Sequence, residues 1–300
     1  MLEKLSVFGV RAMWSPIFLL IIVLIGLFYI WVVNNRKSRK LQPVSSKQQL
    51  LFISALLILY IIKGSPLDLL GHLNFSVHMF QMSILYLVVP PLLLMGFPTR
   101  MFEYALDNKV IEKVIVIVTK PLFSVVLFNG LFSFYHFPFI FDQVKTNPFL
   151  HAVVTVVLFI SAMIMWWPIL TPIKKYSTLG GLQKLAYIFA MGVLLTPACA
   201  LIIFAEQPLF KTYTDPMVWA KALELCVPNG MLSAIDLSSP QLFSWLPAKD
   251  DQRLGGVLMK IIQELVYGIA LGYVFFQWVK SEKERDQQES LSVVTPYLLK

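Results

Sequence analysis

Seven apolar runs divide this chain, and their length limits its fold more than any other feature. A helix crosses about 30 Å of hydrocarbon with about 20 predominantly apolar residues. The runs read as spans over residues 15–33, 49–62, 74–97, 121–136, 148–170, 183–205 and 254–279. The first lacks a small-residue cleavage site and reads as a retained span, not a signal peptide. The second is short. Charged residues make up 14% of the chain and hydrophobic ones 57%, whereas soluble domains carry about 25% charge. No polar shell can be built from that composition, so a soluble protein is excluded. The expected fold is all-α, a polytopic transmembrane bundle. Residues 1–14 read as a weakly amphipathic surface segment, 98–120 as a surface loop with some helix, and 206–253 as a long polar loop. Residues 280–300 read as a charged, partly disordered tail.

The net charge is +8, but its placement matters more than its size. The basic residues lie between apolar runs, which points to membrane orientation and not to nucleic acid. Segments 34–48, 98–120, 171–184 and 280–300 hold 16 Lys and Arg. The alternate set, 1–14, 63–73, 136–147 and 206–253, holds 8. The first set is therefore expected on the cytoplasmic side, with the N-terminus outside and the C-terminus inside.

That orientation gathers all four histidines at the outer ends of spans. Residues 72–98 open with His72 and His78 and run through Met79, Gln81 and Met82 into an apolar stretch broken by Pro90-Pro91. The double proline reads as a kink. His136 closes the fourth run and His151 begins the fifth. His78 and Met82 are four apart and share a helix face. An imidazole and a thioether aimed at one point form a soft donor set, which favours copper(I) over magnesium or calcium. His136, His151 and Met259 could add ligands from neighbouring spans. Each methionine alone reads as ordinary packing, so the case rests on convergence. His72 falls on another face from His78 and reads as a loop or cap residue. Possible supporting residues are His72, Met79, Asp251, Glu264 and Cys199.

Asp250, Asp251 and Gln252 lead into the last span, and Lys260 and Glu264 lie inside it, four apart. Charges within a span mark function or a neutralised structural pair. Cys199 and Cys226 form no CxxC pair and are too few for a disulfide framework. Cys199 reads as a buried thiol. Trp166-Trp167-Pro168 suits an interfacial aromatic belt. There is no Walker loop, GxGxxG, HExxH, GxSxG or CxxCH, so an enzyme is not expected.

These motifs, in this order, make the chain resemble the Bacillus-type CtaG family of cytochrome c oxidase assembly proteins, associated with caa-type oxidases. The carriers are His78-Met79 with Gln81 and Pro90-Pro91-Leu92, then His136-Phe137-Pro138, then His151 followed by Trp166-Trp167-Pro168. Asp251-Gln252, Gly255-Gly256 and Met259 complete the set. Family members often carry a histidine directly after the glutamine of the third span. Met82 stands there, which keeps a soft donor and weakens a bis-histidine haem. The resemblance implies a bacterial plasma-membrane protein that binds cytochrome c oxidase subunits and assists copper insertion, a metallochaperone of the respiratory chain. A copper or solute transporter, a haem-binding redox protein and a metal-free scaffold remain open as alternatives.

Overall fold

The computed structural model describes residues 8–34, 44–225 and 244–298. Among these residues the elements are helices, with no strand. A short helix α1 (Gly9–Met13) precedes α2 (Pro16–Asn34) and α3 (Ser46–Gly64). The small helix α4 (Pro66–Leu73) leads into the long α5 (Phe75–Gly96). Then follow α6 (Thr99–Leu106), α7 (Lys109–Val118), α8 (Pro121–Tyr135), α9 (Pro138–Lys145) and α10 (Pro148–Leu170). The rest is α11 (Gly181–Phe204), α12 (Pro216–Leu223) and α13 (Ala248–Leu298).

Six helices (α2, α3, α5, α10, α11 and α13) are long and apolar enough to cross a membrane, which makes this a multi-pass membrane protein. A seventh span arises if α7 and α8 are taken as one bent unit, with 72° between them. The fourth run is thus shorter than a free-standing span. Pro121 explains the break. A residue before proline is pushed out of the helical region, and Lys120 sits at φ −54, ψ 130. The second span is longer than its apolar core. Ser45 and Gln48 form a reciprocal capping box, which satisfies exposed backbone donors and draws Lys47 and Gln49 into the helix. The last helix runs unbroken to Leu298, through the segment read from sequence as a partly disordered tail.

Helix α5 is the centre of the bundle. Inside the protein, 61% of its apolar window is buried, against at most 44% for any other span. It does not break at Pro90-Pro91. Residues Ile84–Val88 widen into a π-turn, and the Val89 N–H reaches back five residues to Ile84 O. Proline removes a donor and pushes against the preceding turn, and a wider turn accommodates both effects. Two glycines let neighbouring helices approach α5 closely. A Cβ at Gly96 would lie 2.5 Å from the backbone N of Phe52 on α3. A Cβ at Gly255 on α13 would lie 2.9 Å from Phe75 and 3.0 Å from Met79. Trp166 and Trp167 belong to the core and not to an interfacial belt. Both are buried, and Trp167 meets the Phe102 ring edge-on at 5.1 Å.

The helices alternate in direction. Ser15 N donates to Gly64 O, so the start of α2 meets the end of α3. Trp278 of α13 packs on Gly181 at the start of α11, at the other end of the bundle. One end therefore collects the end of α3, α4, the start of α5, the end of α8, α9 and the starts of α10 and α13.

Candidate metal-handling site

The site is built where α4 turns into α5. Ser65 caps α4 by accepting from Leu67 N, Pro66 takes the first position and Asp68 the first turn. Asp68 pairs with Lys63 at the end of α3. Gln81 of α5 ties these together, donating to Ile62 O at 2.8 Å and to Asp68 Oδ1 at 3.2 Å. The start of α5 is capped from a distance. Asp251 of α13 accepts from Phe75 N at 2.6 Å, from Ser76 N at 3.3 Å and from the Ser76 hydroxyl. A carboxylate at a helix N-terminus meets both orphan donors and the positive end of the dipole. Gln252 fixes the next segment, accepting from Leu209 N at 2.7 Å and donating to Ile202 O at 3.1 Å.

Within this frame lies a cavity of about 20 Å³ whose lining includes His72, His78, Met82, Tyr135, Lys145 and His151, together with Lys63 and Gln81. That is room for about one water or one bare ion. His78 Nε2 shares a hydrogen bond with the Tyr135 hydroxyl at 3.2 Å. The rings of His72 and His151 meet edge-to-face with centroids 5.6 Å apart. His151 Nδ1 is buried and has no hydrogen-bond partner among the described residues. Lys145, at the last turn of α9, is 1% exposed and places Nζ 3.3 Å from His72 Nδ1. The lone pair of that nitrogen is thereby engaged. Aromatic rings close the site from above. Phe141 stands edge-on to His78 at 5.3 Å and packs on Phe210 at 4.4 Å. Asp142 holds the Phe210 segment in place through Lys211 N and Thr212 N at 3.1 and 2.9 Å, and Tyr213 donates to Gly71 O at 2.8 Å.

The structure places His78 and Met82, four apart on one helix, in the lining of one cavity with His151. His72 joins them. It is not a loop residue but a buried one, on the last turn of α4. Burial first, and the Lys145 charge second, hold its imidazole well below the ordinary value.

Six expected contributors lie elsewhere. His136 caps α8, donates from Nδ1 to Phe132 O at 2.8 Å and packs its ring, tilted, on Phe132 at 4.3 Å, outside the cavity lining. Met259 accepts from Ser83 Oγ at 2.7 Å, away from the cavity. Met79 packs under Gly255. Asp251 serves the α5 cap.

Glu264 faces out of the bundle beside Lys260, at 2.7 Å, and Cys199 is buried and free. Cys226 lies outside the described residues. Among the described residues no group of three His, Cys, Asp or Glu side chains is arranged to hold a metal, so any ion here would rely on the Met82 thioether.

Sequence reasoning missed Lys145 and Tyr135. Tyr135 was legible as the neighbour of His136. Lys145 was not, because only the return of α9 over the bundle buries it.

The family model of cytochrome c oxidase caa3 assembly factors (Caa3_CtaG) matches residues 10–281. No curated protein and no solved structure matches the chain.

Proposed function

The chain belongs to this cytochrome c oxidase assembly-factor family, and we propose that its part in assembly is to hold one copper(I) ion at the histidine end of the bundle and pass it to a nascent oxidase subunit. The role is non-catalytic, and copper is cargo. The observation that carries the reading is one ion-sized cavity lined by His78, His151 and Met82. Two imidazoles and a thioether suit a soft monovalent ion. The buried His151 Nδ1, which has no hydrogen-bond partner among the described residues, is the kind of group a ligand would satisfy. Few ligands favour release, which a transfer site needs. The charge inventory also favours a monovalent ion. Lys145 and Lys63 border the cavity, with Asp68 beside Lys63, and repulsion from a lysine doubles for a dication. The cavity is far too small for a porphyrin. In this reading the histidine end faces outward, in agreement with the lysine and arginine count, and the bilayer is the bacterial plasma membrane.

The test is copper(I) loading of the purified protein against a competing chelator. About one copper per chain is expected. His78→Ala, His151→Ala and Met82→Leu are expected to lower the bound fraction at least tenfold. His136→Ala and Met259→Leu are expected to keep it. Copper no higher than in an unrelated membrane protein sinks the reading.

A second reading is a metal-free scaffold, favoured by the engagement of His72 with Lys145 and by the lack of a three-residue ligand group among the described residues. Full oxidase activity in cells carrying alanine at all four histidines would select it.

A further inference from the structure

The outer surface of α13 carries a second polar feature, at the depth where a membrane is driest. Lys260, Glu264, Gly268 and Gly272 follow one another at intervals of four, so they form one ridge inclined to the helix axis. Glu264 falls midway between Asp251, level with the start of α5, and Trp278, level with the start of α11. Its side chain is 63% exposed, facing lipid. Charged side chains at that depth normally face a bundle interior or a water-filled cavity.

Lys260 neutralises Glu264 at 2.7 Å and donates to Thr196 of α11 at 3.2 Å. Gln263, fully buried, donates to Glu264 at 3.3 Å. These groups line a groove of about 210 Å³ between α11 and α13, walled by Phe189, Gly192 and Val193 on the α11 side. Tyr267 lines the same groove. It is 4% exposed, and its hydroxyl has no hydrogen-bond partner among the described residues. A Cβ at Gly268 or Gly272 would meet nothing within 4 Å, so the described residues leave that space open.

We propose that this groove receives one transmembrane helix of an oxidase subunit, which approaches closely at Gly268 in the groove and at Gly272 one turn beyond it, and brings a hydrogen-bonding side chain to the depth of Glu264. Lipid tails offer no donor to the remaining lone pairs of the exposed Glu264 carboxylate. A helix can supply one, and small residues are what let two helix backbones approach within a bilayer. A second copy of this chain fits less well. A twofold interface sets like surface against like, and two concave grooves leave a gap where one convex helix fills the space. The proposal rests on the oxidase-assembly role and stands independently of copper.

The experiment recovers tagged protein from native membranes in mild detergent and quantifies oxidase subunits by mass spectrometry. Gly268→Leu and Gly272→Leu are expected to lower the recovered subunit at least tenfold, with yield, melting temperature and copper content unchanged. The open space around both positions lets the variants fold. Val156→Leu, on the lipid face of α10, is expected to change nothing. As a second measurement on the otherwise unaltered chain, a photo-crosslinking residue at Leu271 is expected to capture an oxidase subunit, and one at Val156 none. Unchanged recovery in both glycine variants overturns the proposal. So does crosslinking at Leu271 only to a second copy of the chain, or only to lipid. Copper measured on the same preparations separates failure of the docking groove from failure of the metal site.

Discussion

Lys145 and His72 set the chemistry of the cavity at the scale of single residues. The ammonium of Lys145 opposes any cation and engages the His72 lone pair at 3.3 Å. Lys145→Met removes one charge and frees one imidazole nitrogen, so copper(I) affinity is expected to rise on the order of tenfold or more. Competition titration with a chromogenic chelator measures it, and weaker binding in the variant contradicts this account.

His72 also predicts a pH dependence. Burial, reinforced by Lys145, keeps it neutral in the folded protein, while the unfolded chain protonates it near the ordinary value of about 6.5. The unfolded state then binds more protons below that pH, so the stability His72 contributes is present above about 6.5 and declines as pH falls further. The melting temperature in detergent is expected to drop between about pH 7.5 and 5.5, and His72→Gln to flatten part of that drop. An identical pH profile in the variant would remove His72 from the explanation.

Elements are held at this end by contacts that cross long stretches of sequence. Asp251 caps α5 from the start of α13. Asp251→Ala leaves two buried backbone donors and the Ser76 hydroxyl without their acceptor, a cost of about 2 kcal/mol or more. Asp251→Asn keeps one acceptor and is expected to cost less. Thermal unfolding of the two variants in detergent gives the order, and equal stability for both defeats the capping account. Gly96 tests the α3–α5 contact. A methyl group there meets the Phe52 backbone at 2.5 Å. Backbone cannot rotate aside as a side chain can, so Gly96→Ala is expected to cost about 1–3 kcal/mol. A melting temperature within error of wild type would show that α3 and α5 can separate freely.

For the whole molecule, the two ends of the bundle differ in content. Histidines, Lys145 and Asp251 lie at one, and Glu112 with Lys175 and Tyr176 at the other, joined at 2.7 and 2.6 Å. The lysine and arginine count predicts that the second end faces the cytoplasm. In a variant lacking native cysteines, Gln143→Cys is expected to react with an impermeant maleimide on intact cells, and Ser177→Cys only after permeabilisation. The reverse pattern inverts the bundle and places the cavity inside.

The sequence by itself determined the class and most of the spans, because hydrocarbon thickness translates directly into run length. It also paired His78 with Met82, because four residues along a helix return to the same face. It could not rank the remaining candidates. His136 and His151 looked equivalent at adjacent span ends, yet α8 turns His136 into an aromatic box while α10 turns His151 into the cavity. His72 lay out of phase with His78 on any continuous helix, and only the break at Asn74 between α4 and α5 brings both to one space. Lys145, Asp251 and Met259 gained their places from partners dozens of residues away. Such contacts follow from how helices pack and leave no periodicity along the chain. The same holds for the feature the sequence marked most plainly, the mouth of α5: its residues were legible, but what each one touches was decided by the helices that close around it.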